Sequence, residues 1–326
     1  MQRMKNLRIR ILMTVFALGT FFWGCDSLIY NDLEDCPQGV YVKFYSMTPC
    51  AVDSTFIGNV SSLTVFAFDE EDKLVASVTQ QNVNLNRDFE VLLPVSDGYF
   101  TFIAWTGVDD NFTRQTYSSG ITTKKDVMLS IKSTNSTAPR LSTTNRIWQG
   151  ESSAVFLPAP EKTGSLYKHT AINLRELTNR VKVIVELDPT IKDFTAQDLT
   201  VAISSANGII NIDRSMPLNS PVLSYPIQNT LYSSNSVTWD FSMLELMTGY
   251  HNNLRIAYPA KNEDVFNGDL IASILLRATQ AGVNLNCEND FVIKFLMKDY
   301  CAECWTHFSC SIYVNNWLIH SYTTDL

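Results

Sequence analysis

Cysteines are the residues of this 326-residue chain whose setting most clearly suggests chemistry. Cys25 directly follows an apolar run, residues 11–23, which is itself preceded by a basic segment. The run is too short to span a bilayer, which takes about 20 apolar residues, and its layout is typical of a cleaved secretory signal. Gly24-Cys25 has the form of the end of a bacterial lipobox. We therefore predict that residues 1–24 are a lipoprotein signal peptide and that the Cys25 thiol carries lipid; the alternative is an ordinary signal peptide.

The other six cysteines are free to form disulfides, because an exported chain meets an oxidising environment. Cys36 and Cys50 flank the predicted strand "VYVKFYS" and are the natural local pair. Closing a loop of about 15 residues is worth roughly 3 kcal/mol in the chain-entropy model. We predict this pair, with two reduced and buried thiols as the alternative.

The segment "CAEC", Cys301 to Cys304, has the C-x-x-C spacing of redox motifs and of half a zinc site. It lies between two predicted strands, however, and not at the start of a helix, which disfavours redox chemistry. His307 and Cys310 would complete a zinc site only from opposite faces of a strand. We predict structural cysteines and no metal site.

No catalytic constellation is evident. The chain lacks nucleophile-elbow, metalloprotease, Walker and dinucleotide-binding patterns, and its four histidines are far apart: His169, His251, His307 and His320. Removing residues 1–24 takes away four of the 25 basic residues and none of the 33 acidic ones, leaving a mature net charge of −12. This charge argues against nucleic acid as a partner. We predict a non-catalytic protein.

The elements that would position any site are strands, because period-two patterning dominates the chain. "DFEVLLPVSDGYFTFIAW" predicts two strands in a hairpin around "SDG". "SMLELMTG" is the best predicted helix, and "LIASILLR" reads as a strand. The polar segment 159–170 is the best boundary. We predict an all-β protein with an N-terminal β-sandwich domain at 25–168 and a C-terminal one at 169–326.

Several segments carry a resemblance to a known family. They are the lipobox with "CDSLIYNDLEDCPQGVYVKF", "VFAFDEEDKLV" and "GYFTFIAWTG". "LRELTNRVKVIVEL" and "VNNWLIHSYTTDL" are similar to the opening strand of the second domain and to the C-terminal end of the same proteins. The chain thus resembles, over essentially its whole mature length, the fimbrial anchor subunits of Bacteroidetes, the FimB-type family.

This resemblance implies two tandem transthyretin-like β-sandwich domains and a surface-exposed lipoprotein of the cell outer membrane. It implies a role at the base of a fimbria, with shaft subunits as partners, in which the protein holds the shaft to the cell and influences its length. The lipid on Cys25 is the only bound group that it implies.

The resemblance also implies assembly by strand addition. Related shaft subunits are cut near their first strand by an Arg- or Lys-directed protease, and a neighbour's strand fills the groove that opens. This chain has no arginine between Arg10 and Arg87, and only Lys43 and Lys73 lie in that interval. We predict that the first strand is kept and that a folded strand shields Lys43.

The final segment, "NNWLIHSYTTDL", is the candidate partner-binding strand, with Trp317, Leu318, Ile319 and His320 at its centre. It would either be donated to the first shaft subunit or pair with "CSIYV" as a hairpin across Asn315-Asn316, and we favour the hairpin. In a hairpin, Trp317 and Ile319 would face one side, and Leu318 and His320 the other.

Two other functions stay open. A surface glycan-binding lipoprotein would use exposed aromatic residues such as Trp105, Trp148 or Trp239, although their strand patterns favour core packing. A surface glycoside hydrolase would need two carboxylates that converge in a cleft.

Overall fold

A computed structural model describes residues 36–113, 115–192, 194–275 and 284–297, together with the backbone of 309–314 and 317–323. The predicted all-β class is confirmed. The N-terminal half (residues 36–176) contains a short helix, α1 (Pro160–Thr163), and ten strands: β1 (Gln38–Tyr45), β2 (Gly58–Phe68), β3 (Leu74–Leu85), β4 (Glu90–Leu93), β5 (Gly98–Thr106), β6 (Met128–Ser130), β7 (Trp148–Glu151), β8 (Val155–Leu157), β9 (Leu166–Asn173) and β10 (Arg175–Glu176).

The C-terminal half (residues 177–323) begins directly after β10. It contains a helix, α2 (Leu270–Leu275), and these described strands: β11 (Thr178–Leu187), β12 (Thr200–Ser205), β13 (Ile209–Asn211), β14 (Leu223–Tyr225), β15 (Asn229–Tyr232), β16 (Ser236–Leu244), β17 (Asn252–Tyr258), β18 (Glu263–Asp269), β19 (Asp290–Met297), β20 (Ser309–Val314) and β21 (Trp317–Thr323). No helix in the described ranges is long and apolar enough to cross a membrane.

Two sheets form the N-terminal half. A three-stranded sheet has the order β4-β1-β9, and a larger sheet has the order β10-β7-β5-β2-β3, with β8 paired to the start of β5. Alternate side chains of each strand point inward, as the two-residue period requires. Val42 and Phe44 of β1 and Phe102 of β5 are therefore buried in one core.

The C-terminal half also has two sheets, with the orders β15-β16-β11-β19-β20-β21 and β14-β12-β17-β18. Its core is continuous with the outer face of the larger N-terminal sheet, because Val65 of β2 points into the N-terminal core while its neighbour Phe66 points into the C-terminal one. A two-stranded sheet of β6 and β13 adds a backbone link between the halves. The halves therefore share packing and not only a covalent connection.

Three local expectations differ from the structure. The predicted boundary between residues 168 and 169 falls inside β9, all eight residues of which pair with β1, so the junction at Leu177, between β10 and β11, divides the halves better. The segment "SMLELMTG" continues strand β16 to Leu244, and "LIASILLR" begins with helix α2. Both segments are only eight residues long, and at least half of their residues are apolar; so short an apolar segment does not reveal whether it is helix or strand.

Candidate subunit interface and anchor

The first strand occupies the centre of its sheet. β1 pairs in parallel with β9 from Gln38 to Tyr45 and antiparallel with β4 from Val40 to Lys43. Val40 and Val42 are fully buried, and Phe44 is 3 % exposed. The expected strand at "VYVKFYS" is confirmed, and it fills the groove between β4 and β9 with the chain's own residues. That the mature protein keeps this strand stays a prediction.

Lys43 lies in the folded, doubly paired strand β1, as expected. Its side chain is exposed and lies 3.9 Å from the Glu90 carboxylate, which also lies 3.5 Å from His169 Nδ1. The side chain itself is thus not buried, and any protection of this site comes from the folded strand, as expected. Its backbone pairs with Glu90 on one side and Ala171 on the other, and proteases favour exposed loops over paired strands. The sheet, not burial of the lysine, makes cleavage here unfavourable.

The predicted Cys36–Cys50 disulfide is wrong. Cys50 is bonded to Cys287, 237 residues away, with a Cα–Cα distance of 5.8 Å. Cys36 is itself disulfide-bonded. The reason is geometric: an eight-residue strand spans about 26 Å, whereas the Cα atoms of a disulfide lie no more than about 7 Å apart. The strand that the two cysteines flank keeps them apart.

The turn that carries Cys287 binds both halves. Asn284 Nδ2 lies 3.6 Å from Cys50 Sγ, and Arg175 Nη2 of β10 donates to the Asn286 carbonyl over 2.5 Å. Asn289 Nδ2 donates to the Thr178 carbonyl over 3.1 Å. The bond between Cys50 and Cys287 is thus one part of a clamp between the loop after β1 and the start of β19. Sequence reasoning missed Cys287, because only a three-dimensional arrangement brings it near Cys50.

A partly buried ionic cluster lies beside this clamp, with Glu176 buried and Asp290 exposed. Arg180 of β11 makes two hydrogen bonds to Asp290 of β19, of 2.5 and 2.8 Å, and it also binds Glu176 of β10. Arg146, from the loop before β7, lies 3.4 Å from the same Glu176 carboxylate. The hydrogen bond from Arg180 lowers the pKa of Asp290. The cluster ties strands of both halves together and presents no free catalytic group.

A second ion pair is more deeply buried. Arg214 Nη2 donates to Glu245 Oε1 over 2.6 Å. Burial raises the pKa of Glu245, although Arg214 and Arg175 oppose that shift. All three carboxylates, Glu176, Asp290 and Glu245, have arginine partners, which is typical of structural ion pairs.

The final strand pairs within its own half, as favoured. β20 pairs with β19. β21 pairs antiparallel with β20, with Val314 opposite Trp317 at one end and Ser309 opposite Thr323 at the other, so the hairpin is confirmed. The register changes at Ile312/Tyr313, where Leu318 and His320 have partners and Ile319 is passed over. The expected strict alternation of Trp317 to His320 is therefore interrupted in the backbone. In the described part of the sheet, β21 is one of the two edge strands, and β15 is the other.

Other predicted positions can be placed briefly. Cys25, the "CAEC" segment and the turn Asn315-Asn316 lie outside the described residues. Trp105 and Trp239 are 5 % and 2 % exposed and Trp148 is partly buried, so core packing is confirmed for Trp105 and Trp239. Within the described ranges, no group of histidine, cysteine or acidic residues has the arrangement of a metal site.

A match to a protein-family model identifies the family of this chain. The model of the Mfa2 family, fimbrillin-A associated anchor proteins Mfa1 and Mfa2, matches residues 33–323. The chain belongs to this family. The match begins before β1 and ends with β21, so the closed β1 groove and the C-terminal hairpin both lie within the matched range.

Individual relatives of this anchor family agree. The minor fimbrium anchoring subunit Mfa2 of Porphyromonas gingivalis is 31% identical over 331 residues, covering 100% of both chains. The solved structure of the fimbrial anchor protein Mfa2 from P. gingivalis has a TM-score of 0.78 and covers 88% of this chain and 100% of that one. A structure of candidate polysaccharide-binding proteins from Bacteroides thetaiotaomicron, with a TM-score of 0.71, is 20% identical, covers 87% and 98% of the two chains, and shows the fold alone.

Proposed function

We propose that this protein is a non-catalytic, surface-exposed outer-membrane lipoprotein that holds a fimbrial shaft at its base and influences the length of the shaft. Lipid on Cys25 is its membrane attachment, and shaft subunits are its partners. Membership of the anchor family supports the fimbrial role.

The position of β1 between β4 and β9 is the observation that most directly supports a place at the base of the fimbria. A subunit that accepts a neighbour's strand needs an open groove, whereas the groove between β4 and β9 is filled by β1. A protein whose groove is filled in this way has no place there for a neighbour's strand, which supports the proposed position at the end of a chain of subunits. The edge strand β21 could still engage the first shaft subunit, because an edge presents unpaired backbone groups.

Membrane attachment is tested by Cys25→Ala. The change removes the thiol that would carry lipid, so we expect either a released protein or an uncleaved precursor, with no palmitate label. Fractionation of labelled cells measures both properties. Ser27→Ala, a nearby change that keeps the thiol, should behave as the native chain. A Cys25→Ala protein that stays labelled and membrane-bound would rule out this anchor.

The role of the C-terminal strand is tested by ending the chain after Val314. This removes β21 and leaves β20, which keeps its pairing with β19. If β21 contacts the shaft, the protein should accumulate at the membrane while shafts appear in the medium. A chain that ends after Thr323 keeps β21 and is the matched control. Normal retention of shafts by a folded truncated protein would contradict the contact, and failure to accumulate would assign β21 to the core.

The glycan-binding and hydrolase alternatives gain no specific observation. Trp105 and Trp239 are buried in cores and offer no platform for a sugar. Asp240 and Asp290 share a surface cavity, but Lys182 lies 3.7 Å from Asp240 and Arg180 binds Asp290. A glycosidase needs a carboxylic acid whose raised pKa keeps it protonated, whereas Arg180 lowers the pKa of Asp290.

A further inference from the structure

Strand β3 forms one edge of the larger N-terminal sheet, and none of its 12 residues is charged or is a proline. Natural edge strands are kept from pairing with other chains by charges, prolines, short length or a covering segment. Strand β18, at the edge of the smaller C-terminal sheet, carries acidic residues at both of its ends. β3 lacks such charges along a much longer strand, so its edge is a candidate interaction surface.

Two features limit the part of this edge that is open. At the start of the strand, Leu74 N donates to the Thr122 carbonyl over 2.8 Å, so the segment that carries Thr122 covers the edge there. Past Gln81 the alternation of side chains changes, because Gln81 lies on the outer face of the sheet whereas Val83 packs against the N-terminal core. No described segment pairs with the edge between these limits, at residues 76–81. We call these residues the open edge; a strand of this length spans about 20 Å.

The backbone groups that the open edge presents follow from the neighbouring ladder. The carbonyl of Ser62 in β2 accepts a hydrogen bond from Gly107 N, just after β5, over 3.0 Å, so it points away from β3. Ser62 and Gln81 therefore face each other without backbone hydrogen bonds, and such pairs recur at every second residue of an antiparallel ladder. Thr79 and Ser77 belong to pairs of the same kind. Ser77, Thr79 and Gln81 thus direct their N–H and C=O groups outward, to the open edge.

A cavity of about 320 Å³ lies over the side chains of the same three residues. Its other walls include Phe66 and Tyr117, whose rings pack edge to face with 5.0 Å between their centres. Asp109 is the single charged residue of the described lining, and both of its carboxylate oxygens accept hydrogen bonds from Asn111. The cavity therefore suits an uncharged side chain.

We propose that the open edge of β3 binds an extended segment of the adjoining shaft subunit as an added strand, with an uncharged side chain of that segment in the cavity. This inference rests on the proposed fimbrial role. The groove between β4 and β9 is filled by β1, so a basal subunit has to hold the shaft through another surface. In strand addition, backbone hydrogen bonds supply affinity and pockets for alternate side chains supply specificity, and this edge offers both. A contact here would add to any contact at β21, which lies in the other half.

The length and charge of the edge favour a short segment over a second copy of this chain. The β3 strand of a second copy has 12 residues, so if it were aligned with the open edge it would run into the segment that carries Thr122. Two mature chains with a net charge of −12 each also repel one another. A short uncharged segment of a partner meets neither obstacle.

Thr79→Pro tests the added strand, because proline has no N–H group to donate. The Thr79 N–H points outward, so its loss removes no hydrogen bond to β2, and proline is tolerated on the open side of an edge strand. In cells that carry the full chain, we expect folded protein at the membrane in normal amounts and several-fold more shaft in the medium. Thr79→Val keeps the N–H and is the matched control, which should retain shafts. Val78→Pro removes a hydrogen bond to Val65 of β2 and should instead lower the melting temperature.

The outcomes separate this docking from the fimbrial role. A folded Thr79→Pro protein that retains shafts as well as Thr79→Val would overturn the docking and leave the fimbrial role intact. Shafts that stay on cells lacking the protein altogether would overturn both.

Hydrogen exchange gives a second measurement that needs no variant. The open edge is compared in isolated fimbriae that carry the native protein and in the purified protein alone. Exchange of the Ser77, Thr79 and Gln81 amides should slow several-fold in fimbriae, whereas the loop around Val52, which is 90 % exposed, should exchange equally in both samples. Equal exchange of the open edge in the two samples would contradict the added strand. Protection that rises with the concentration of the purified protein would overturn the shaft segment as the occupant and assign the edge to a second copy.

Discussion

Val42→Asp is expected to prevent the N-terminal half from folding. Val42 is fully buried at the centre of β1, paired with Val91 on one side and Thr170 on the other. An unpartnered carboxylate in that core costs several kcal/mol, in addition to the apolar burial that is lost. This cost is comparable to the about 5–15 kcal/mol that stabilises a typical domain. Circular dichroism and thermal unfolding of the purified chain measure the loss.

Two neighbouring changes make this prediction specific to burial. Val42→Ala should lower the free energy of unfolding by roughly 2 kcal/mol and leave the fold intact. Lys43→Gln removes only an exposed contact with Glu90, of the kind worth less than about 1 kcal/mol, and should unfold like the native chain. A Val42→Asp protein with native unfolding would mean that β1 is not part of the folded core.

Local sequence patterns predicted strands well but could not predict which sheet each strand joins. The chain does bend at "SDG", with positive φ angles of 53° at Asp97 and 151° at Gly98. The strands on either side are nevertheless not a hairpin, because β4 joins β1 in the smaller sheet and β5 joins β2 in the larger one. A turn residue specifies a change of direction, and the pairing partner depends on packing between distant segments.

The same limit applies to the clamp between the halves. Arg180, Asp290 and Cys287 are recognisable as a charge pair and a cysteine, but Arg180 lies 110 residues before Asp290 and Cys50 lies 237 before Cys287. The sequence did contain one usable constraint. A strand predicted between Cys36 and Cys50 already implies that they are too far apart to bond, which leaves long-range pairing.

The bond between Cys50 and Cys287 should keep β1 attached even after the loop behind it is cut. Val52 is 90 % exposed in that loop, so a site-specific protease sequence inserted after Val52 should be accessible. Cleavage separates β1 from β2 in sequence, but Cys50 stays on the β1 fragment and remains bonded to Cys287. In denaturant, we expect an all-or-none effect. The fragment should stay attached to the protein without reductant and should leave it with reductant. Gel electrophoresis with and without reductant measures this.

The experiment is best done with Cys36→Ala, because Cys36 is also disulfide-bonded and could hold the same fragment. In the double variant Cys36→Ala, Cys50→Ala, the cut fragment should leave in denaturant both with and without reductant. Release from the Cys36→Ala chain without reductant would contradict the clamp. Retention has a consequence for assembly, because shaft-type subunits open their groove by losing a cut strand. A strand that a cut cannot release keeps the groove closed, as the proposed position at the end of the shaft requires.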